Sequence, residues 1–353
     1  MNEKYLLQGL KSWSDNQKSK SGPADQNLKW VGVLAILVLL LRCVETAEAQ
    51  QPKKVARACY LGNAVSGPQA IYIKMFRERL RELGHVEGQN ISIEYRDFEG
   101  KVERLPVLAT ELVGVNCDVI VTQGNEATQA AKDATKTIPV VMALGSDAVR
   151  LGLVADLARP GGNITGMTDM GAELYGKRLE LLKEAVPGLA RVAFLWSSSS
   201  QDADYNVKET EPVARFLRIG IQSLDVKGPD DIDGAFRAAT KGRANGLMLS
   251  GGALFGFHHK RIIDLAAKNR LPAIYIVERF VEAGGLMSYG EDRAEMFRRS
   301  AEMVDKILKG TKPADIPMER AKKFDLVINL NAAKQIGLTV PPNVLVRASR
   351  VIR

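Results

Sequence analysis

The chain is poor in cysteine and histidine, and these shortages exclude several classes of protein. Its three cysteines, Cys43, Cys59 and Cys117, are too few for a disulfide framework. None of them has the C-x-x-C spacing typical of zinc or redox sites. The three histidines leave little room for a histidine-based metal centre. We therefore expect no bound metal and no cofactor.

The chain also lacks any block of like charge. Its formal net charge is +8, but the 49 lysines and arginines are scattered and no run of five occurs. Nucleic-acid partners usually require clustered basic residues, so a basic balance spread in this way indicates a solvated surface. We expect no nucleic-acid partner.

No apolar run is long enough to span a bilayer. The longest, Val31–Leu41, has eleven residues, whereas a spanning helix needs about 20. It follows a polar leader, residues 1–27, which we interpret as disordered. It is followed by Ala47-Glu48-Ala49, the small-x-small pattern of a signal-peptidase site. We predict residues 1–49 to be leader plus signal peptide, with cleavage after Ala49 and a periplasmic mature chain.

Three alternatives for the N-terminus stay open. The apolar run can remain as an uncleaved anchor. Cys43 can be lipidated, although the bulky, charged Arg42 before it does not suit a lipobox. Translation can also begin nearer Leu28, because the leader is long for a signal peptide.

From Val55 onwards, short apolar runs alternate with amphipathic helical patterns, as in parallel α/β sheets. The predicted strands are Val55–Leu61, Ile91–Tyr95, Asp118–Thr122, Pro139–Ala143, Arg191–Leu195, Gln222–Val226, Gly246–Leu249, Pro272–Ile276 and Leu286–Tyr289. The predicted helices are Pro68–Leu83, Val102–Val113, Asn125–Ala134, Tyr205–Ile219, Ile232–Thr240, Lys260–Asn269 and Arg293–Leu308. The pattern predicts an α/β protein with two Rossmann-like, doubly wound lobes, a hinge and an interlobe cleft at the carboxyl ends of the strands.

Two details of this arrangement are expectations from the residues alone. The cluster Arg159–Asn163 should end a helix that begins near Leu151, and the first crossing between lobes should follow close to Ile164–Thr168. Cys59 and Cys117 should lie at opposite ends of neighbouring parallel strands, too far apart to be joined, and should be two buried free thiols.

No catalytic pattern occurs in the sequence. The phosphate-loop, dinucleotide, nucleophile-elbow and zinc-protease motifs are all absent. His258 and His259 would face different sides of a helix and cannot share a metal. The loops after the predicted strands are instead small and polar, and such loops suit ligand binding by backbone amides and helix N-termini. We therefore expect a binding protein and not an enzyme.

Three segments resemble the family of tryptophan/tyrosine-type ABC transporter substrate-binding proteins. They are LARPGGNITG at Leu157–Gly166, ERFVEAGGLMSYG at Glu278–Gly290, and FDLVINL at Phe324–Leu330 followed by GLTVPP. The resemblance covers the chain from about Val55 to its end. It departs from the family where Ala148 replaces a proline and where Trp196 and four serines replace Asn-Pro. These departures leave the ligand open.

The resemblance implies the type I periplasmic-binding fold, with three segments crossing between the lobes. It places lobe 1 at residues 50–166 and about 290–312, and lobe 2 at residues 167–289 and about 324–353. It also implies a monomer that carries a small molecule to a permease working with an ATPase. The membrane would be contacted only through that permease or through an uncleaved anchor.

The candidate ligand contacts come from both predicted lobes. They are Ser66, Asn125, Ser146 and Asp147 from the first, with Thr168, Trp196, Ser250 and Glu278 from the second or from the crossings. For an amino-acid ligand, helix-start amides near Asn125 and Ser146 would bind the carboxylate. Asp147 or Glu278 would pair with the ammonium group, and Trp196 would stack on an apolar side chain.

Two other functions remain open from the sequence. A ligand-binding sensory protein can use the same fold, but the chain offers neither a helix-turn-helix nor a signalling domain. An enzyme on this fold is disfavoured because no nucleophile–base pair is visible, although such residues can meet only in space.

Overall fold

Short buried strands alternate with helices through the part of the chain that the structure describes. The computed structural model describes residues 55–63, 70–169, 171, 173–200 and 203–353. Val55–Arg353 forms one compact unit. The predicted signal peptide, Cys43 and Ser66 lie outside the described residues.

The first sheet is parallel throughout. Its strands are β1 (Ala56–Gly62), β2 (Ile91–Asp97), β3 (Val119–Gln123), β4 (Val140–Leu144), β5 (Ile164–Thr168) and β11 (Glu319–Arg320). They lie in the order β11-β5-β4-β3-β1-β2. Successive side chains of a strand point to opposite faces, so this sheet must bury apolar residues on both.

Helices cover both faces of the first sheet. They are α1 (Ala70–Glu82), α2 (Leu105–Gly114), α3 (Asn125–Ala134) and, much later in the chain, α10 (Arg293–Leu308). Helices α1 and α10 pack against the face that carries Ala58 and Tyr60 of β1. Helices α2 and α3 pack against the opposite face, which carries Cys59 and Leu61.

The second sheet contains one antiparallel pair of neighbours, β10 and β12. Its strands are β6 (Arg191–Trp196), β7 (Gly220–Asp225), β8 (Gly246–Leu249), β9 (Ala273–Tyr275), β10 (Met287–Glu291), β12 (Phe324–Asn329) and β13 (Arg350–Ile352). They lie in the order β13-β12-β10-β9-β8-β6-β7, and the other neighbours are parallel.

Helices also cover both faces of the second sheet. They are α4 (Glu173–Ala185), α5 (Ala203–Phe216), α6 (Asp231–Lys241), α7 (Ala253–Phe257), α8 (His259–Lys268), α9 (Glu278–Glu282), α11 (Leu330–Gln335) and α12 (Pro342–Leu345). Helices α4 and α5 share one apolar core with α11 and α12. Helices α6 to α9 pack on the other face.

The chain passes between the two sheets three times. It crosses after β5, again at Asp292 between β10 and α10, and finally between β11 and β12. The Asp292 side chain caps α10 by accepting a hydrogen bond from the Glu295 backbone N–H at 3.0 Å. The predicted fold class, two doubly wound α/β lobes, is confirmed.

Residues 164–168 form β5 inside the first sheet, so the chain leaves that sheet directly after Thr168. One sequence-based expectation near the first crossing is wrong. No helix begins near Leu151 in this described stretch, where residues 148–155 form turns and bends. Gly152 adopts a φ of +66°, which α-helical backbone does not permit.

The prediction of two free thiols is also wrong, because Cys59 and Cys117 form a disulfide with a Cα–Cα distance of 5.9 Å. Cys59 lies beside Ile120 in the register of β1 and β3. Asn116 has a φ of +56°, which turns the chain after α2 so that Cys117 enters over the sheet. Both cysteines lie in the apolar core under α2. Cys117 lies before β3 and not within it, so the ends of the strands alone do not reveal this approach.

Candidate functional site

A cleft lies between the two lobes at the carboxyl ends of their strands. Its volume is about 1000 Å³ including its open mouth. Loops after β1, β3, β4 and β5 form one wall, and loops after β6, β8, β9 and β10 form the other, together with α4, α5 and α9. This is the position at which open parallel sheets bind ligands.

The two lobes contact each other around the cleft. The Tyr72 hydroxyl of α1 donates a hydrogen bond to Glu278 of α9 at 3.2 Å. The Ser200 hydroxyl donates one to Glu126 at 2.9 Å. The Arg150 guanidinium lies 4.1 Å from the centre of the Tyr205 ring. The cleft is therefore bounded by lobes that touch.

Asn125 and Ser146, two of the predicted contacts, line the cleft side by side. The Asn125 amide nitrogen donates to the Ser146 hydroxyl at 3.0 Å, and the Ser146 backbone N–H donates to Asn125 Oδ1 at 2.9 Å. This pair ties the start of α3 to the loop after β4. The Ser146 backbone N–H is thereby already satisfied and cannot also bind a ligand carboxylate well.

Two acidic side chains line the cleft. Asp169 follows β5, and its Oδ1 accepts a hydrogen bond from the Gly171 backbone N–H at 2.7 Å. Burial raises the pKa of Asp169 well above its ordinary value, and the nearby Glu291 carboxylate raises it further. Glu291 ends β10, is only 5% exposed, and accepts a hydrogen bond from Arg293 Nε at 3.1 Å.

Three arginines also line the cleft. Arg178 of α4, 3% exposed, donates from Nε to the Tyr289 carbonyl at 2.7 Å and lies 4.8 Å from the centre of the Tyr175 ring. Burial opposes the charge of Arg293, but the combined effects of Glu291, Tyr72 and Asp169 raise its pKa. Burial, and to a lesser extent the charge of Arg293, lowers the pKa of Arg279 to about 10. The guanidiniums of Arg279 and Arg293 are therefore cationic at neutral pH.

The other predicted contacts lie elsewhere. Asp147 pairs with Arg150 at 3.3 Å, and Glu278 binds Tyr72 as described above. The Trp196 indole N–H donates to the Ser223 hydroxyl at 2.8 Å, on the side of the neighbouring strand β7. Thr168 and Ser250 are buried, and each hydroxyl donates to a nearby carbonyl. None of these five residues is among the described residues that line the cleft.

The charged lining of the cleft was not predicted from the sequence: it consists of Asp169, Arg178, Arg279, Glu291 and Arg293. Each lies beside a crossing or in the first turns of a helix, where a charged residue in a sequence is usually a cap or a solvated surface group. One signal was available for two of them. Arg279 lies within the ERFVEAGGLMSYG segment, and Glu291 directly follows it.

The described residues contain no group of three or more histidine, cysteine, aspartate or glutamate side chains suited to a metal. Across the same residues, no helix has the length and apolar character needed to cross a membrane.

Residues 63–352 match the family described as ABC transporter substrate binding protein. A tyrosine-binding protein of Clostridioides difficile is 24% identical over 265 residues, which cover 75% of this chain and 76% of that relative.

Two crystal structures are similar over most of the chain. A conserved domain protein from Vibrio cholerae has a TM-score of 0.80 at 26% identity, covering 84% of this chain and 100% of that one. An ABC domain from Streptococcus pneumonia in complex with L-Trp has a TM-score of 0.78 at 28% identity, covering 84% and 99%.

Proposed function

The chain belongs to the family of ABC transporter substrate-binding proteins, and from this premise we propose that it binds an α-amino acid in the cleft and delivers it to an ABC permease. The family predicted from the three sequence motifs is confirmed by the match over residues 63–352. The relatives described as binding tyrosine and L-Trp support an amino acid as the ligand of this chain as well. The expected partners are a permease and its ATPase, and the expected form is a monomer.

The charge pattern of the cleft is the observation that carries the proposal. Acidic groups, Asp169 and Glu291, and basic groups, Arg178, Arg279 and Arg293, line the same cavity. A zwitterion is the small molecule that can use both signs at once, because a charge taken out of water needs a partner. A sugar or a hydrocarbon carries no charge and would leave the Arg279 guanidinium, whose buried Nε has no partner among the described residues, uncompensated.

Closure of the lobes on the ligand would complete the carrier. A ligand that contacts both walls favours the closed form by its difference in affinity for the two forms. Asn125 and Ser146 stay our candidates for contacts from the first lobe. The closed surface would then be presented to the permease.

We propose that the protein acts outside the cytoplasm. The Cys59–Cys117 disulfide supports this localisation, because disulfides persist in oxidising compartments. Periplasmic export and cleavage after Ala49 stay predictions, as do retention of an N-terminal anchor and lipidation at Cys43.

A thermal-shift screen of the full chain against the twenty L-amino acids tests the proposal. An amino acid present at 100 times its dissociation constant should stabilise the folded protein by about 2.7 kcal/mol. We expect a clear upward shift for at least one amino acid, which is recovered chemically unchanged. The absence of a shift with every amino acid would contradict the amino-acid proposal, and a consumed compound would indicate an enzyme.

A further inference from the structure

Two polar groups that line the cleft lack hydrogen-bond partners among the described residues. Asn206 of α5 is 2% exposed, and its Oδ1 accepts no hydrogen bond. Arg279 of α9 has a buried Nε that donates none. An unsatisfied buried donor or acceptor destabilises the folded state, so such groups are rare in folded proteins unless something else binds them.

The neighbouring polar groups of the cleft are already engaged. Arg293 is paired with Glu291, and Arg178 donates to the Tyr289 carbonyl. Asp169 accepts from the Gly171 backbone N–H. Arg279 is therefore the guanidinium of the cleft that, among the described residues, has no carboxylate or carbonyl partner.

The position of Arg279 is electrostatically unfavourable without an added anion. Burial and the like charge of Arg293 lower its pKa to about 10, so the cation persists at neutral pH and is destabilised there. A planar guanidinium suits a carboxylate, because two parallel hydrogen bonds can form between them. The carboxylate is the anionic group that every α-amino acid carries.

We infer that Arg279 binds the carboxylate of the amino-acid ligand and that Asn206 Oδ1 accepts a hydrogen bond from its ammonium group. The inference rests on the proposed function, and it replaces the helix-start amide of Ser146 as the carboxylate site, because that amide already donates to Asn125 Oδ1. Both residues belong to the second lobe: Asn206 lies on helix α5 and Arg279 on helix α9. The second lobe thus selects the polar end of the ligand, and the first lobe closes over the remainder.

The test compares ligands that differ by one group. L-tyrosine and L-tryptophan each carry both groups, whereas tyramine and tryptamine lack the carboxylate. Calorimetry on the full chain and on Arg279→Met measures both pairs. We expect Arg279→Met to weaken whichever amino acid binds by about ten- to a hundredfold, the effect of losing a hydrogen bond between charged groups. The affinity for the matching amine should change by less than about twofold, since the amine has no carboxylate for Arg279 to bind.

The ammonium contact is tested in the same way. Asn206→Leu should weaken binding of the amino acid about five- to tenfold. The affinities for 3-(4-hydroxyphenyl)propionate and 3-indolepropionate, which lack the ammonium group, should be unchanged. Arg237→Met, at an exposed position on α6, is the matched control and should leave every affinity unchanged.

The ligand-free melting temperature separates a binding role from a structural one. Removing an uncompensated buried cation should leave the melting temperature of Arg279→Met equal to or above that of the unmodified chain. If an amino acid binds the unmodified chain but Arg279→Met binds it equally well, the inference is overturned and the proposed function stands. If neither L-tyrosine nor L-tryptophan binds, the amino acid that gives the largest shift in the screen replaces them, together with the amine that lacks its carboxylate. If no amino acid binds the unmodified chain, the proposed function fails and the inference fails with it.

Discussion

The disulfide between Cys59 and Cys117 joins β1, the first strand of the first lobe, to the segment just before β3. Both are buried in the core that α2 covers. The bond closes a loop between residues 58 apart in sequence. In the chain-entropy description, a loop of this length removes enough freedom from the unfolded chain to stabilise the protein by about 4 kcal/mol.

Reduction of this disulfide should therefore lower the stability of the protein. We expect dithiothreitol to decrease the free energy of unfolding, measured by urea titration, by about 2–4 kcal/mol. The variant Cys59→Ala/Cys117→Ala should be less stable than the oxidised chain and should not respond to dithiothreitol. Equal stability of the oxidised and reduced protein would contradict a stabilising role for the bond.

The cleft residues show what a single sequence can predict of a site. Asn125 and Ser146 were predictable because they follow apolar strands, and carboxyl ends of parallel strands share one edge. The arginines were not predictable, because their place in the cleft depends on how the chain crosses between lobes. Arg293 begins α10, which belongs to the first sheet although the preceding strand, β10, belongs to the second.

At the scale of the elements, the pairing of β4 with β5 depends on Gly166. Its φ of +141° is open to glycine and strained for other residues, and a Cβ built on it would lie 2.2 Å from the Met142 carbonyl oxygen. Met142 is the register partner of Gly166 across the two strands. This close contact explains why the LARPGGNITG segment ends in glycine.

Gly166→Ala should separate β5 from β4 and destabilise the protein by at least about 3 kcal/mol, since both backbone strain and lost strand pairing contribute. Urea unfolding measures the change. Gly162→Ala is the matched control four residues earlier, because nothing lies within 4 Å of its Cβ position and its φ is not in the glycine region. That control should change stability by less than about 1 kcal/mol. Similar losses in both variants would contradict the steric argument.

Most elements were predictable because their apolar periods match one kind of structure. Three elements have the predicted bounds: the helices Asn125–Ala134 and Arg293–Leu308 and the strand Gly246–Leu249. Helix α4 was missed, because buried residues on several sides blur its 3.6-residue period and Gly176 lowers its helix propensity. The limits of the lobes at residues 166, 289–290 and 312–324 stay predictions.

At the scale of the whole molecule, the chain passes three times between the two lobes that enclose the cleft. Helix α10 packs on the first sheet, yet it starts at Arg293 in the cleft, beside Glu291 of the second sheet. A change in the angle between the lobes therefore changes the distance between charged groups in the site. In the proposed carrier, ligand binding and closure would be coupled through these groups.

Contacts between the lobes outside the cleft should then influence affinity without contacting the ligand. Tyr72 stacks on Phe297 within the first lobe, and its hydroxyl donates to Glu278 of the second at 3.2 Å. Tyr72→Phe keeps the stacking and removes only the contact between lobes. It should destabilise the closed form by about 0.5–1.5 kcal/mol and so weaken binding of the best amino acid about two- to tenfold.

Calorimetry gives the affinity, and the radius of gyration of the liganded protein from small-angle scattering gives the degree of closure. Tyr95→Phe is the matched control, because the Tyr95 hydroxyl has no partner among the described residues and its ring packs within the first lobe near Tyr60. It should leave both quantities unchanged. Because the Tyr72 contact exists only when the lobes meet, a loss of affinity confined to Tyr72→Phe would indicate that this contact contributes to closure. An equal loss in both variants, or none in Tyr72→Phe, would show that closure does not depend on it.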